Sequence, residues 1–254
     1  MTPRRTLWLV GLVPTPDYLR EFVLPTSPVA AVDAGSFDLY LPLDATAPAP
    51  LAVLVHGGPM PAAPVAPPRE WPVFRGYAAA LAARGVATAV LDHSVLTSLD
   101  YAGAADRVDE VTAAGRARPE VDADRVAVWY FSGGGPLATR LLQAPPPWLR
   151  VVALSYPALQ PFGGVEGFRP VDALPTTGSL PIVVTRVGRE IPALTAAQEE
   201  FIVAARNGGN DVMVVDVPNG HHAFDVLDDT EQSRQALRRA LDLVGDRLDA
   251  PGAG

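Results

Sequence analysis

The chain has 254 residues, 48% of them hydrophobic and 19% charged, enough apolar material for one large α/β domain and too much for global disorder. Twenty basic residues against 28 acidic ones give a formal charge of −8, which argues against a nucleic-acid backbone as partner. There is no cysteine, hence no disulfide or thiol nucleophile, and four histidines without an H-E-x-x-H spacing speak against zinc.

Arg4 and Arg5 precede an apolar patch, Leu7 to Val13, that superficially resembles an export signal. The patch is brief, ends at Pro14 and has no A-x-A cleavage pattern nearby, so the expected location is the cytoplasm. No apolar run approaches the roughly 18 residues of a membrane span. Asp17 to Leu24 is compatible with a short helix whose Tyr18 and Phe22 pack onto the main body or near a pocket. Val29 to Leu41 reads as a strand pair, with Phe37, Leu39 and Leu41 alternating with Asp38 and Tyr40.

Leu51 to Val55 is a continuous apolar run, the mark of a strand buried on both faces, and it leads into His56-Gly57-Gly58-Pro59. A proline-rich loop, Met60 to Pro72, is placed to wall a pocket. Phe74 to Arg84 reads as a helix closed by Gly85, and Val86 to Leu91 as the next strand, completing a βαβ unit. Ala102 to Ala117 is a further helix. A strand from Val126 then runs into Ser132 and three glycines, followed by Pro136 and the helix-compatible run Leu137 to Ala144.

Val151 to Tyr156 is the following strand. Pro157 to Leu180 lacks periodicity and carries four glycines among prolines and aromatics, as expected of a short lid-like excursion. Pro181 to Thr185 and Val212 to Val217 are strands, Ala193 to Asn207 and Thr230 to Leu248 helices, and Pro251 to Gly254 should fray. The pattern predicts a single α/β domain over 1–254: a mostly parallel central sheet with helices on both faces.

Ser132, at the tip of a strand–turn–helix segment, is the first nucleophile candidate; the plainer reading is a serine-capped glycine turn. A serine hydroxyl needs a histidine to take its proton and a carboxylate to orient that histidine. His221 and His222 follow the late strand through Pro218-Asn219-Gly220, and Glu190 lies in the loop after Pro181 to Thr185. Loops leaving one end of a parallel sheet converge, and Ser132, Glu190 and His222 stand in the order nucleophile, acid, histidine.

Here the chain resembles the α/β-hydrolase family, most of all its dienelactone-hydrolase-related and prolyl-oligopeptidase-like branches, over roughly Phe37 to Leu248. His56-Gly57-Gly58-Pro59 is similar to the oxyanion loop, Phe131 to Gly135 to the nucleophile elbow, and His222-Ala223-Phe224 to the segment bearing the catalytic histidine. The resemblance implies hydrolysis of a small carboxylic ester or related acyl compound, with no cofactor. Ser132 would attack, His222 would serve as base and then acid, and the N–H groups of Gly133 and of Gly58 or a neighbour would receive the oxyanion. His221 and His56 are then structural, and His93 is structural or pocket-lining. Trp71, Phe74, Tyr156, Phe162 and Phe168 are candidates for the substrate pocket, with core packing the stronger reading for Phe74.

Two departures from the family pattern bear on this. Tyr130 stands two positions before the serine, where the family usually has a small residue, and a bulky side chain there is expected to crowd the turn. The acid is Glu190 where aspartate is usual, leaving Asp216 and Asp225 as alternatives. Competing functions are a peptidase, a lactone hydrolase, or a non-catalytic ligand-binding protein on a hydrolase scaffold, the last favoured by Tyr130. The expected partner is a small-molecule acyl substrate; residue pattern leaves oligomeric state open.

Overall fold

The computed structural model describes residues 16–43, 45–59, 64–96, 98–175 and 179–250. The Leu7 to Val13 patch, the first residues of the proline-rich loop and the last four residues lie outside these ranges. Among the described residues the strands are β1 (Ala31–Asp33), β2 (Phe37–Tyr40), β3 (Ala49–Val55), β4 (Ala87–Leu91), β5 (Val121–Phe131), β6 (Leu149–Ser155), β7 (Pro181–Arg189) and β8 (Asp211–His221). They form one sheet in the order β1-β2-β4-β3-β5-β6-β7-β8. The first two strands run antiparallel and every pairing from β4 through β8 is parallel.

Alternation along each central strand divides the core between two faces. On β5, Val126, Val128 and Tyr130 point into a cluster with residues of α2 (Tyr101–Arg116), α3 (Thr139–Gln143) and α4 (Pro192–Asn207). Ala127, Trp129 and Phe131 point the other way, against α1 (Pro72–Ala82) and α6 (Glu231–Asp249). Both sides of a central strand must therefore be apolar, which is why β3 and the second half of β5, Val126 to Phe131, read as unbroken hydrophobic runs rather than alternating ones. On α6, Ala236, Leu237, Ala240, Leu241, Val244 and Leu248 recur at three- and four-residue spacing and make its buried stripe. Thr230 caps it by accepting the Ser233 N–H.

Three expectations change. The Asp17 to Leu24 segment makes only one 3₁₀ turn, Asp17–Leu19, because the chain turns extended at Arg20. Side chains hold it instead: Tyr18 stacks on Trp71 and Phe22 packs at a tilt against Tyr77. After Ser132 the chain winds as a 3₁₀ helix through Ala138 and is α-helical only over Thr139–Gln143. Three glycines and Pro136 explain this, since glycine costs about 1 kcal/mol per position in an α-helix and proline more. Lastly, β7 and β8 extend four residues beyond the expected Thr185 and Val217, to Arg189 and His221, and the site depends on that extra length. The 157–180 segment contains two 3₁₀ turns, Phe162–Gly164 and Pro170–Ala173.

Candidate active site

The carboxyl ends of β3, β5, β7 and β8 bring the reactive groups to one edge. Ser132 follows β5 directly with φ at +49°, in the left-handed region that a non-glycine residue occupies only under constraint. Three non-glycine residues of the described chain have positive φ, Ser132, Tyr156 and Ala223, and all three surround His222. Backbone strain is thus concentrated where the chemistry is, as expected when geometry is imposed by surrounding structure.

The glycines after Ser132 are required by close approach. A Cβ on Gly133 would collide with the carbonyl of Gly58, and one on Gly57 would sit 2.8 Å from the Ser132 Cβ and 3.2 Å from the Gly133 nitrogen. The loop after β3 and the turn after β5 therefore meet main chain to main chain, without intervening side chains. Two buried histidines brace that loop. His93 stacks on His56 with ring centroids 3.7 Å apart. The His56 Nδ1–H donates to its neighbour's carbonyl at Gly57, and its Nε2 accepts the His93 backbone N–H at 3.1 Å. The His93 Nε2–H donates back to the His56 carbonyl at 2.9 Å. With one nitrogen donating and the other accepting, the His56 ring is neutral. Burial lowers the pKa of each, His93 to about 4 and His56 well below its usual value, with the neighbouring His93 adding to the effect on His56.

Glu190 and His222 come together through strand register. Arg189 of β7 pairs with His221 of β8, so the next residue of each chain leaves the sheet beside the other. His222 donates Nδ1–H to Glu190 Oε2 at 2.8 Å, and its Nε2 faces Ser132 Oγ at 2.6 Å. With Nδ1 committed as donor, Nε2 is the acceptor that takes the serine proton. The other Glu190 oxygen accepts the Ile191 N–H, and the carboxylate side chain is only 1% exposed, against 29% for His222. Glu190 is therefore engaged by the histidine and not by Arg186, which pairs with Asp216 and Glu199.

The other sequence candidates fall as follows. Asp216 is bound to Arg186 at the surface, and His221 turns outward to bond Asp228 through both its ring and its backbone N–H. Trp71 is buried at the start of α1, donates Nε1–H to Ala66 and lies 6.4 Å from the His56 ring. Phe74 is packed edge-on against Phe131 in the core. Phe162 is 41% exposed on its 3₁₀ turn, which is tied by its N–H to the Tyr101 hydroxyl. Phe168 packs at a tilt against Tyr101. Tyr130 does not crowd the elbow: its side chain lies in the α2–α3 face of the core, in register between Val55 and Leu154, and is fully buried.

One group escaped the sequence reading in its actual role. Asp225, an alternative acid by sequence, is completely buried, and the His222 Nδ1–H goes to Glu190 instead; the Asp225 Oδ2 accepts hydrogen bonds from Tyr156 at 2.6 Å and Tyr77 at 3.0 Å. Burial raises its pKa to about 6 against the opposing effect of the two tyrosine hydroxyls. In A-F-D-V-L an aspartate flanked by apolar residues was the available signal, since such a carboxylate is either a turn residue or a buried one with a partner.

This fold and site define a Ser-His-Glu hydrolytic triad on an α/β-hydrolase sheet. Compared by sequence, the chain matches no family model and no curated protein. Its structure is similar to that of an arylesterase, with a TM-score of 0.69 at 16% identity over 89% of this chain and 88% of the other. A thermostable esterase from Pseudomonas putida gives 0.67 at 17% over 93% and 86%. Brefeldin A esterase, a bacterial homologue of human hormone sensitive lipase, gives 0.63 at 19% over 88% and 76%. At these identities the likeness establishes the shared fold. No helix among the described residues is long and apolar enough to cross a membrane.

Proposed function

We propose that the protein hydrolyses small carboxylic esters through an acyl-enzyme. The observation that carries this is the unbroken relay from Ser132 Oγ through the His222 ring to the buried Glu190 carboxylate. Ser132 Oγ attacks the ester carbonyl as His222 Nε2 takes its proton, and Glu190 stabilises the imidazolium that forms. His222 then returns that proton to the departing alcohol. A water, deprotonated by the same nitrogen, attacks the acyl-serine; the serine oxygen leaves with the proton and the acid is released.

In this scheme the Gly133 and Gly58 N–H groups receive the oxyanion. The support is that the two residues lie against each other beside Ser132, close enough that a Cβ on Gly133 would collide with the Gly58 backbone. Trp71, Tyr156 and Phe162 supply aromatic surface to the substrate. Tyr156 offers its ring only, because its hydroxyl is held by Asp225. The 157–180 segment is assigned the part of a short lid on a single domain, supported by its ties to Tyr101 on α2 and Gln198 on α4. Affinity with the dienelactone-hydrolase-related branch rests on the His-Gly-Gly-Pro and His-Ala-Phe segments. The esterase neighbours in fold space favour esters over peptides as the substrate class.

The test is turnover of a graded panel of chromogenic acyl esters by wild type, S132A and H222A. Wild-type hydrolysis lost in both variants supports the assignment; equal hydrolysis by S132A overturns it.

A further inference from the structure

Asp225 is a fully buried carboxylate one turn beyond His222, and the triad chemistry makes no use of it. It sits in the short helix α5 (Phe224–Leu227), which begins at Ala223 in the left-handed region. Its backbone carbonyl accepts the Val23 N–H, so the turn is also tied to the N-terminal segment. Of its two carboxylate oxygens, Oδ2 accepts both tyrosine hydroxyls, while Oδ1 has no hydrogen-bond partner among the described residues. Removing a charged group from water without satisfying both oxygens is expensive, and such a residue persists where its bonds do something a leucine would not.

The two tyrosines differ in what they reach. Tyr77, on α1, packs against Trp129 and Phe131, wholly within the core. Tyr156 follows β6 directly with φ at +37°, fixed by its N–H to the Thr185 carbonyl, and its ring meets the His222 imidazole edge to face at 4.9 Å. The wall against which the catalytic imidazole rests is therefore hinged on a strained backbone and anchored at its far end by a single oxygen of Asp225.

We propose that Tyr156 and Asp225 form a positioning pair: the Asp225-anchored Tyr156 ring holds His222 in the rotamer that meets both Ser132 and Glu190, resting on the hydrolase function proposed above. Without the anchor the ring stays buried but is free to tilt, and the imidazole tilts with it. A displacement of about 1 Å between reacting groups is enough to cost up to a hundred-fold in rate.

Tyr77 provides the internal control, because Y77F deletes a bond to the same oxygen without touching His222. The experiment compares wild type, Y156F, Y77F, D225N and D225L by steady-state hydrolysis of a chromogenic acyl ester and by NMR of the imidazole nitrogens and protons of His222. Y156F and D225L are expected to lower kcat about ten-fold with KM within two-fold, and to broaden or split the His222 ring signals. Y77F leaves kcat and the ring signals as in wild type. D225N, which keeps an acceptor for Tyr156, recovers kcat to within about three-fold of wild type. Equal losses in Y77F and Y156F, or an unperturbed His222 spectrum in Y156F, overturn the proposal. The NMR arm stands apart from turnover: a wild type that hydrolyses no ester while its His222 signals respond to Y156F and not to Y77F sinks the esterase function and leaves the positioning pair intact.

Discussion

Arg189 and His221 face each other across β7 and β8, and that single register places the next residues, Glu190 and His222, within hydrogen-bonding distance. The reach of the acid is matched to this geometry. Shortening it by one methylene in E190D pulls the carboxylate back from Nδ1, and kcat is expected to fall about a hundred-fold with little change in KM. Steady-state kinetics on one ester decide this; kcat within three-fold of wild type would show that the carboxylate contributes little.

The junction between the two glycine loops predicts a steep response to a single methyl group. In G57A the added Cβ meets Ser132 and the Gly133 nitrogen. The loops must part to accommodate it, and the loss of one aligned oxyanion donor costs about 3 kcal/mol in the transition state, or more than a hundred-fold in kcat. Thermal unfolding should show a folded protein. Full activity in G57A would mean that the oxyanion is not bound between these loops.

His93 should leave a mark on stability. Its pKa is about 4 in the fold, against 6.5 for the free side chain, so the unfolded chain takes up a proton first as pH falls. The contribution is complete above pH 6.5 and is lost progressively down to pH 4, by about 3 kcal/mol. H93Q keeps an N–H donor but does not titrate, so its denaturant midpoint should decline less than that of wild type across this interval. Parallel declines would refute the role given to His93.

Asp225 acts with the opposite sign. Its pKa is raised from 3.8 to about 6, so the folded state holds its proton more tightly, and the associated stability is lost as pH rises from 3.8 through 6. The stability of D225N relative to wild type should therefore increase over that range by up to about 3 kcal/mol. Chemical denaturation at pH 4 and pH 7.5 measures the change. A pH-independent difference would mean that the fold leaves the Asp225 pKa at its unfolded value.

Tyr130 offers a substitution of the reverse kind. Its hydroxyl is buried with no hydrogen-bond partner among the described residues, and burial raises its pKa above the ordinary phenol value. Y130F removes an unsatisfied polar atom while preserving the ring that fills the α2–α3 face. We expect a gain of about 1 kcal/mol in unfolding free energy and unchanged kcat. A loss of stability would reveal a partner for that hydroxyl.

The sheet was legible because parallel strands buried on two faces must be written as apolar runs, as in Leu51 to Val55 and Val126 to Phe131. The order Ser132, Glu190, His222 was legible because strand ends gather at one edge, and the three side chains do form a hydrogen-bonded relay there. Helical extent after Ser132 was not, since local propensity in Leu137 to Ala144 says nothing about the 3₁₀ winding set up by the glycines before it. Nor was the part played by Asp225. Its two tyrosine partners lie 148 and 69 residues away, and only tertiary structure unites them. Tyr130 looked obstructive in one dimension because position alone does not say that its ring turns into the core.

The contact between Gly58 and Gly133 has an evolutionary corollary. Two loops that meet this closely cannot be retuned by exchanging side chains at Gly57 or Gly133, because a Cβ at either position disrupts the joint. Lineages carrying this joint can diverge in substrate preference only by altering what surrounds it, and the exposed Leu99 and Phe162, on the chain segments following β4 and β6, are where such drift would meet least resistance. The machinery would then be inherited nearly whole while its clientele changed.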